Sequence, residues 1–351
     1  MLAPALSAAD WERARALLCG LGDAIRDSVL AARRARADED LAGIAAVTAA
    51  DTIYAIDKVS EGTVLGWMRV SWPPEWPVEM VMEGAGENGE PLTFPRGTPA
   101  AGTVFKLIVD PIDGTRGLMY DKRSAWALAG LAPQRGPGTG LRDIAAAAMT
   151  ELPTTKQWRA DQLSAVRGRG PGGIVAGSVN VLTGERLPLA VRPSRATDFQ
   201  HGFASFAKFF PEGKALTAQI EEAVWDRLHG RGRAATAHVF DDQYLSTGGQ
   251  IYELLMGHDR TVGDLRPLVL SSLGYKVALT CHPYDICTGL LLTEAGGVLE
   301  APNGRPLDAP LDTTWPVAWM GYANEALAQK LRPVLWQVCE HYLASTWRNG
   351  R

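Results

Sequence analysis

Val109-Asp110-Pro111-Ile112-Asp113-Gly114-Thr115 is the stretch whose reading decides the fold. Ahead of it, Thr103-Val104-Phe105-Lys106-Leu107-Ile108-Val109 is β-branched and apolar, the composition of a buried strand. Proline has no N–H to give a ladder, so Pro111 predicts that the strand ends at Asp110. A tight turn just past a strand end can aim both carboxylates, Asp110 and Asp113, at one point. Such a pair is costly unless positive charge sits between the two groups. A divalent ion such as Mg²⁺ suits that place, because hard cations take oxygen ligands. Gly114 allows close approach of the backbone to a ligand, and Thr115 sets a hydroxyl beside the acids. The competing reading is a turn rich in helix-capping residues, with both acids facing water.

The 351 residues leave room for a sizeable core and about two domain-sized units. Apolar content of 46% and charged content of 21% are those of an ordinary globular protein. A formal charge of -4 is no footprint for nucleic acid or an anionic membrane, so neither is expected as a partner. Cys19, Cys281, Cys287 and Cys339 form no C-x-x-C pair, which argues against a structural zinc site or a disulfide framework. Reduced thiols and a cytoplasmic location are the expectation. Residues 1–8 have no basic flank and do not read as a signal peptide. No apolar run is long enough to predict a membrane span.

Residues 7–36 predict a helix, capped by Ser7 with Asp10 in its first turn, and with Leu17, Leu18, Leu21, Ile25, Val29 and Leu30 at a spacing of three to four. A second helix is expected from about Ala49 to Val64, and a short strand at 78–83. The long Gly- and Pro-rich run 84–102 reads as a loop. Beyond the central stretch, strands are expected at 124–131 and 144–152. The turn 167–173 lacks the Gly-Lys-Ser/Thr ending of a phosphate loop and reads as a mobile turn. Helices are expected at 199–210, 214–228, 247–256 and 286–295, the last ended by Gly296-Gly297. Strands are expected at 268–270, 277–279, 298–300 and 315–320, and a C-terminal amphipathic helix at 324–343.

Three separated segments share one pattern. Asp110-Pro111-Ile112-Asp113-Gly114-Thr115 resembles the signature of the inositol monophosphatase family, part of the Mg²⁺-dependent, lithium-sensitive phosphatases that include fructose-1,6-bisphosphatase. Tyr284-Asp285-Ile286-Cys287-Thr288-Gly289 followed by Glu294-Ala295-Gly296-Gly297 resembles the second signature, W-D-x-A-A-G with E-A-G-G. Val47-Thr48-Ala49-Ala50-Asp51 resembles an early V-T-x-x-D. The resemblance spans roughly residues 45–325 and is weak over 150–240. It implies an α+β fold, a layered αβαβα sandwich of the sugar-phosphatase type. An N-terminal half, 1–235, would carry the first motif, and a C-terminal half, 236–351, would carry Asp285, the two forming one catalytic unit.

The resemblance also implies roles. Asp110, Asp113, the main-chain carbonyl of Ile112, and Asp285 become metal ligands, for two or three Mg²⁺ ions. A glutamate upstream of the signature completes the set. Glu83 is preferred because a strand end holds it rigidly, and Glu87, in a Gly-rich loop, is its rival. Asp51 and Thr115 resemble the pair that orients and deprotonates the attacking water. Backbone N–H groups near Gly114 and Thr115 would receive the phosphate. Two departures concern the substrate. Arg116 stands where the family pattern breaks and is a candidate for an anionic group on the substrate, and 276–283 lacks the acid that meets inositol hydroxyls in the family. The expected activity is hydrolysis of a small polyol or sugar phosphate. A 3′-phosphoadenosine 5′-phosphate phosphatase or a fructose-1,6-bisphosphatase is the nearest alternative, and a non-catalytic phosphate-binding protein of the same fold is an alternative of another class. A homodimer is implied by analogy alone.

Overall fold

The computed structural model describes residues 6–35, 44–47, 52–82, 92–230, 238–276 and 279–349. Helix α1 (Ala8–Ala35) and helix α2 (Ala55–Ser71) lie on one face of a large sheet, with the short ribbon β1 (Ile44–Val47) and β2 (Thr52–Tyr54) between them in sequence. Ser7 and Asp10 cap α1 reciprocally: Ser7 donates its N–H to the Asp10 carboxylate at 2.8 Å, and Asp10 donates its N–H to the Ser7 hydroxyl at 3.2 Å.

The sheet contains β3 (Val78–Met82), β4 (Leu92–Phe94), β5 (Phe105–Asp113), β6 (Ala125–Pro133), β7 (Ala146–Leu152), β8 (Arg159–Val166), β9 (Val175–Asn180) and β10 (Arg186–Pro188). Its order is β10-β9-β8-β7-β6-β5-β3-β4, antiparallel except where β3 runs parallel to β5. The two-residue period of a strand divides its side chains between two cores. Leu107 and Val109 of β5, and Ala125, Ala127 and Ala129 of β6, face α1 and α2. Ile108, Trp126 and Leu128 face the opposite way.

That opposite face meets helix α5 (Thr247–Met256) and the short helix α7 (Leu290–Glu294), which form the middle layer. Behind them stands a second sheet, in the order β12-β11-β13-β15-β14. Its strands are β11 (Gly202–Phe206), β12 (Val239–Phe240), β13 (Asp259–Asp264), β14 (Val298–Glu300) and β15 (Trp319–Tyr322). Trp319 faces the middle layer, while Met320 and Tyr322 face helices α4 (Lys214–His229) and α8 (Glu325–Asn349). The layers therefore read αβαβα. β11 and α4, which precede residue 236, belong with the second sheet. Among the described residues, no helix is long and apolar enough to cross a membrane.

Several elements differ from expectation, each for a physical reason. β5 does not stop at Asp110 but runs to Asp113 through Pro111. A bulge between Asp110 and Asp113 in its pairing with β6 accommodates a residue that has no N–H to offer. Phe199, Phe203, Phe206 and Phe210 have helical spacing, yet 202–206 is a strand, parallel to both its neighbours in the interior of the second sheet. Residues 268–270 belong to helix α6 (Arg266–Ser272), whose first turn holds Pro267, where a missing N–H costs nothing. β13 was not foreseen, because Asp259-Arg260-Thr261-Val262-Gly263-Asp264 is largely polar. The strand expected at 315–320 begins only at Trp319, after Pro316. Only Leu290–Glu294 of the expected helix 286–295 is regular, preceded by turns. The strand expected at 277–279 falls mostly on residues outside those described. The turn 167–173 is tied down, since the N–H groups of Gly168 and Gly170 donate to the Glu294 carboxylate at 2.8 and 2.6 Å.

Candidate active site

The bulged end of β5 brings Asp110 and Asp113 into a cleft. Asp110 is buried and accepts the N–H of Ile112 at 3.0 Å, which holds the turn around Pro111. Asp113, 6% exposed, is held from the second half of the chain. Ser246 Oγ donates to its Oδ2 at 2.8 Å, the N–H of Gly248 to the same oxygen at 2.5 Å, and the N–H of Thr247 to Oδ1 at 3.3 Å. Ser246 is also the N-cap of α5, accepting the N–H of Gly249 at 2.9 Å. One serine thus caps the helix and fixes the carboxylate. Burial disfavours the charged form of Asp113 and pushes its carboxyl up to about 6, despite these donors.

Asp285 arrives on the turn that leads into α7. That turn can approach β6 closely because residue 130 is glycine. A Cβ there would meet the Cys287 carbonyl oxygen at 2.9 Å and Ile144 Cδ1 at 2.9 Å. The N–H of His282 donates to Asp285 Oδ2 at 2.5 Å. The His282 ring is buried and stacked on Tyr284, with centroids 5.4 Å apart. It is a packed histidine whose backbone N–H braces Asp285.

One carboxylate oxygen from each of Asp110, Asp113 and Asp285 lies within 4.8 Å of the others. Three acids at this spacing, two of them buried, repel one another unless a cation joins them. An all-oxygen donor set fits a hard divalent ion. Burial raises the Cys281 and Cys287 thiols well above their ordinary range, so neither offers a thiolate. The residues present fit Mg²⁺. The upstream glutamate, Glu83 or its rival Glu87, lies outside the described residues.

Thr115 opens the one-turn helix α3 (Thr115–Met119), and its hydroxyl has two acceptors, the Ile112 carbonyl at 2.8 Å and Asp57 Oδ1 at 3.0 Å. Asp57 stands in the first turn of α2 and lines the cleft. Asp51, expected as the partner of Thr115, lies outside the described residues, and the carboxylate at hand is that of Asp57. Sequence reading missed this residue. Gly114 has φ +96°, and a Cβ there would lie 3.0 Å from Ser246 Cβ. Arg116 lines the same cleft. Of the acids preceding the 246–250 segment, Asp241 pairs with Lys208, and Asp242 pairs with Arg123 at 2.8 Å.

The layers and this acidic cleft define a class: the chain has the fold of the inositol monophosphatase and fructose-1,6-bisphosphatase structures. It superposes on the extragenic suppressor protein suhB from Bartonella henselae with a TM-score of 0.62 and 15% identity, covering 92% of this chain and 98% of that one. For the inositol monophosphatase from Anabaena (Nostoc) sp., the TM-score is 0.58 at 12% identity, with 94% and 97% covered. For the Leishmania major fructose-1,6-bisphosphatase in holo form, it is 0.61 at 14% identity, with 93% of each chain covered. At these identities the likeness is one of fold. No protein-family model matches the sequence, and no curated protein matches it.

Proposed function

We propose that this chain is a Mg²⁺-dependent phosphatase that hydrolyses the phosphate monoester of a small sugar or polyol. The observation that carries the reading is the convergence of Asp110, Asp113 and Asp285 from distant parts of the chain. These three would hold the metal, joined by the Ile112 carbonyl and by Glu83 or Glu87. A divalent ion bound there supplies Lewis-acid neutralisation of the phosphoryl charge. Thr115 and Asp57 hold and deprotonate the attacking water, the proton passing through the hydroxyl to the carboxylate. The water oxygen would bond to phosphorus as its proton passes to Asp57, the ester P–O bond would break, and the leaving alkoxide would take a proton from solvent water. The N–H groups around Gly114 and Thr115 orient the phosphoryl oxygens. Such a reaction asks for positioning and charge neutralisation more than covalent help, which matches a cleft lined by Asp57, Asp110, Asp113 and Asp285.

The test is phosphate release from inositol monophosphate, fructose 1,6-bisphosphate and 3′-phosphoadenosine 5′-phosphate, with and without Mg²⁺. We expect Mg²⁺-dependent release from at least one ester, inhibited by millimolar lithium. No release from any ester at saturating Mg²⁺ would favour the non-catalytic alternative.

A further inference from the structure

The Asp113 carboxylate is held by residues 246–248, so its place depends on what fixes that segment. Two residues upstream stands Tyr244, which is buried and lies with Arg123 and Trp126 along a groove separate from the acidic cleft.

Tyr244 ties two elements together. Its hydroxyl donates to the Ser124 carbonyl at 2.9 Å and accepts the Trp126 Nε1–H at 3.1 Å, with Ser124 Oγ at 3.0 Å. Its main-chain carbonyl accepts the N–H of Ser246 at 2.9 Å and Gln250 Nε2 at 2.9 Å. The side chain is thus bound to the start of β6, and the backbone to the first turn of α5. The ring packs on that turn as well, since a Cβ on Gly249 would fall 2.4 Å from Tyr244 Cε1 and Cζ.

Trp126 is also the β6 residue that pairs with Asp113 beyond the bulge. The contacts therefore close a circuit. Asp113 pairs with Trp126, Trp126 donates to Tyr244, Tyr244 accepts the N–H of Ser246, and Ser246 donates back to Asp113. A ligand whose supports are themselves anchored is held in its productive geometry before the metal arrives. Arg123 locks the circuit. Its guanidinium lies over the Tyr244 ring, 4.2 Å from the centroid, and donates to both oxygens of Asp242 at 3.1 and 2.8 Å.

We propose that Tyr244, with Arg123 over its ring, is a positioning residue for the metal site, setting Asp113 for Mg²⁺ through Ser246 and the two residues after it. This inference rests on the phosphatase reading and deepens it. It makes metal affinity depend on residues that touch neither the metal nor the substrate.

The test measures Mg²⁺ affinity by calorimetry, and phosphate release at graded Mg²⁺, in the natural protein, Tyr244→Phe, Arg123→Gln and Val338→Ala. Tyr244→Phe keeps the ring and loses the ties to β6. It should weaken Mg²⁺ binding about tenfold and raise the Mg²⁺ needed for half-maximal release by the same factor. The loss falls on this Mg²⁺ requirement rather than on kcat at saturating Mg²⁺. Arg123→Gln strands no buried donor and should weaken binding about threefold. Val338→Ala opens a cavity in the core beneath α8 and controls for lost stability, since it should lower Tm and leave Mg²⁺ affinity unchanged. Added to Ser246→Ala, Tyr244→Phe should cost less Mg²⁺ affinity than it does alone, because both act through one chain of contacts.

Mg²⁺ affinity within about twofold of the natural protein in both Tyr244→Phe and Arg123→Gln would overturn the assignment. So would losses that simply multiply when Tyr244→Phe is joined to Ser246→Ala. If Tyr244→Phe does not fold, Arg123→Gln decides alone. A natural protein that neither binds Mg²⁺ nor releases phosphate counts against the phosphatase reading itself. One that does both, while the variants match it, counts against Tyr244.

Discussion

Ser246→Ala is the perturbation whose cost follows most directly from the geometry. The Ser246 hydroxyl both accepts the Gly249 N–H at 2.9 Å and donates to Asp113 Oδ2 at 2.8 Å. Loss of an N-cap costs about 1 kcal/mol. Loss of a hydrogen bond to a buried carboxylate costs about 2 kcal/mol more. With an unfolding entropy of about 2.1 cal/mol/K per residue over 351 residues, a loss of about 3 kcal/mol lowers Tm by about 4 °C. Differential scanning calorimetry of the metal-free protein measures it. Ser246→Gly separates the two contributions, because glycine is a tolerable N-cap and costs only a few tenths of a kcal/mol in that role. A double-mutant cycle with Asp113→Asn isolates the bond to the carboxylate, and about 1 kcal/mol or more of coupling is expected. A Tm within about 1 °C of the parent, or strictly additive costs, would refute the dual role of Ser246.

Other outcomes follow from neighbouring groups. Asp57→Asn and Thr115→Val should each lower kcat by roughly 100-fold with the far-ultraviolet circular dichroism unchanged. Full activity in Asp57→Asn would return the role to Asp51. Burial, with Glu253 and Asp242 nearby, pushes the Asp259 carboxyl up to about 7. The folded state therefore holds a proton that the unfolded chain releases near pH 4, and stability from this group falls as pH rises from about 4 to 7. Asp259→Asn should remove that slope and raise Tm more at pH 8 than at pH 5. An unchanged slope of Tm against pH would contradict this assignment.

The parts of the site that were legible in the sequence are those whose chemistry is local. Asp110, Asp113 and Gly114 sit within one turn, and the pairing of an aspartate with a downstream E-A-G-G marks Asp285. The layered fold was legible through the same motifs. Partners supplied by tertiary structure were not. Asp57 meets Thr115 only because α2 starts beside the bulged end of β5, and no local spacing encodes that meeting. The bond of Ser246 to Asp113 joins positions far apart in the chain. At 202–206, aromatic residues at helical spacing concealed a strand whose pairing on both sides overrides local preference. Pro111 was read as a stop, where a bulge lets the strand continue.

Mg²⁺ titration of the natural protein beside Asp113→Asn and Asp285→Asn tests the central claim most directly, with bound metal read by calorimetry and phosphate release read in the same samples. The account predicts that both signals rise together in the natural protein and that each variant, folded by circular dichroism, loses at least about tenfold in metal affinity and in turnover. Undiminished turnover in either variant, or hydrolysis that proceeds fully after removal of all divalent ions, would contradict it.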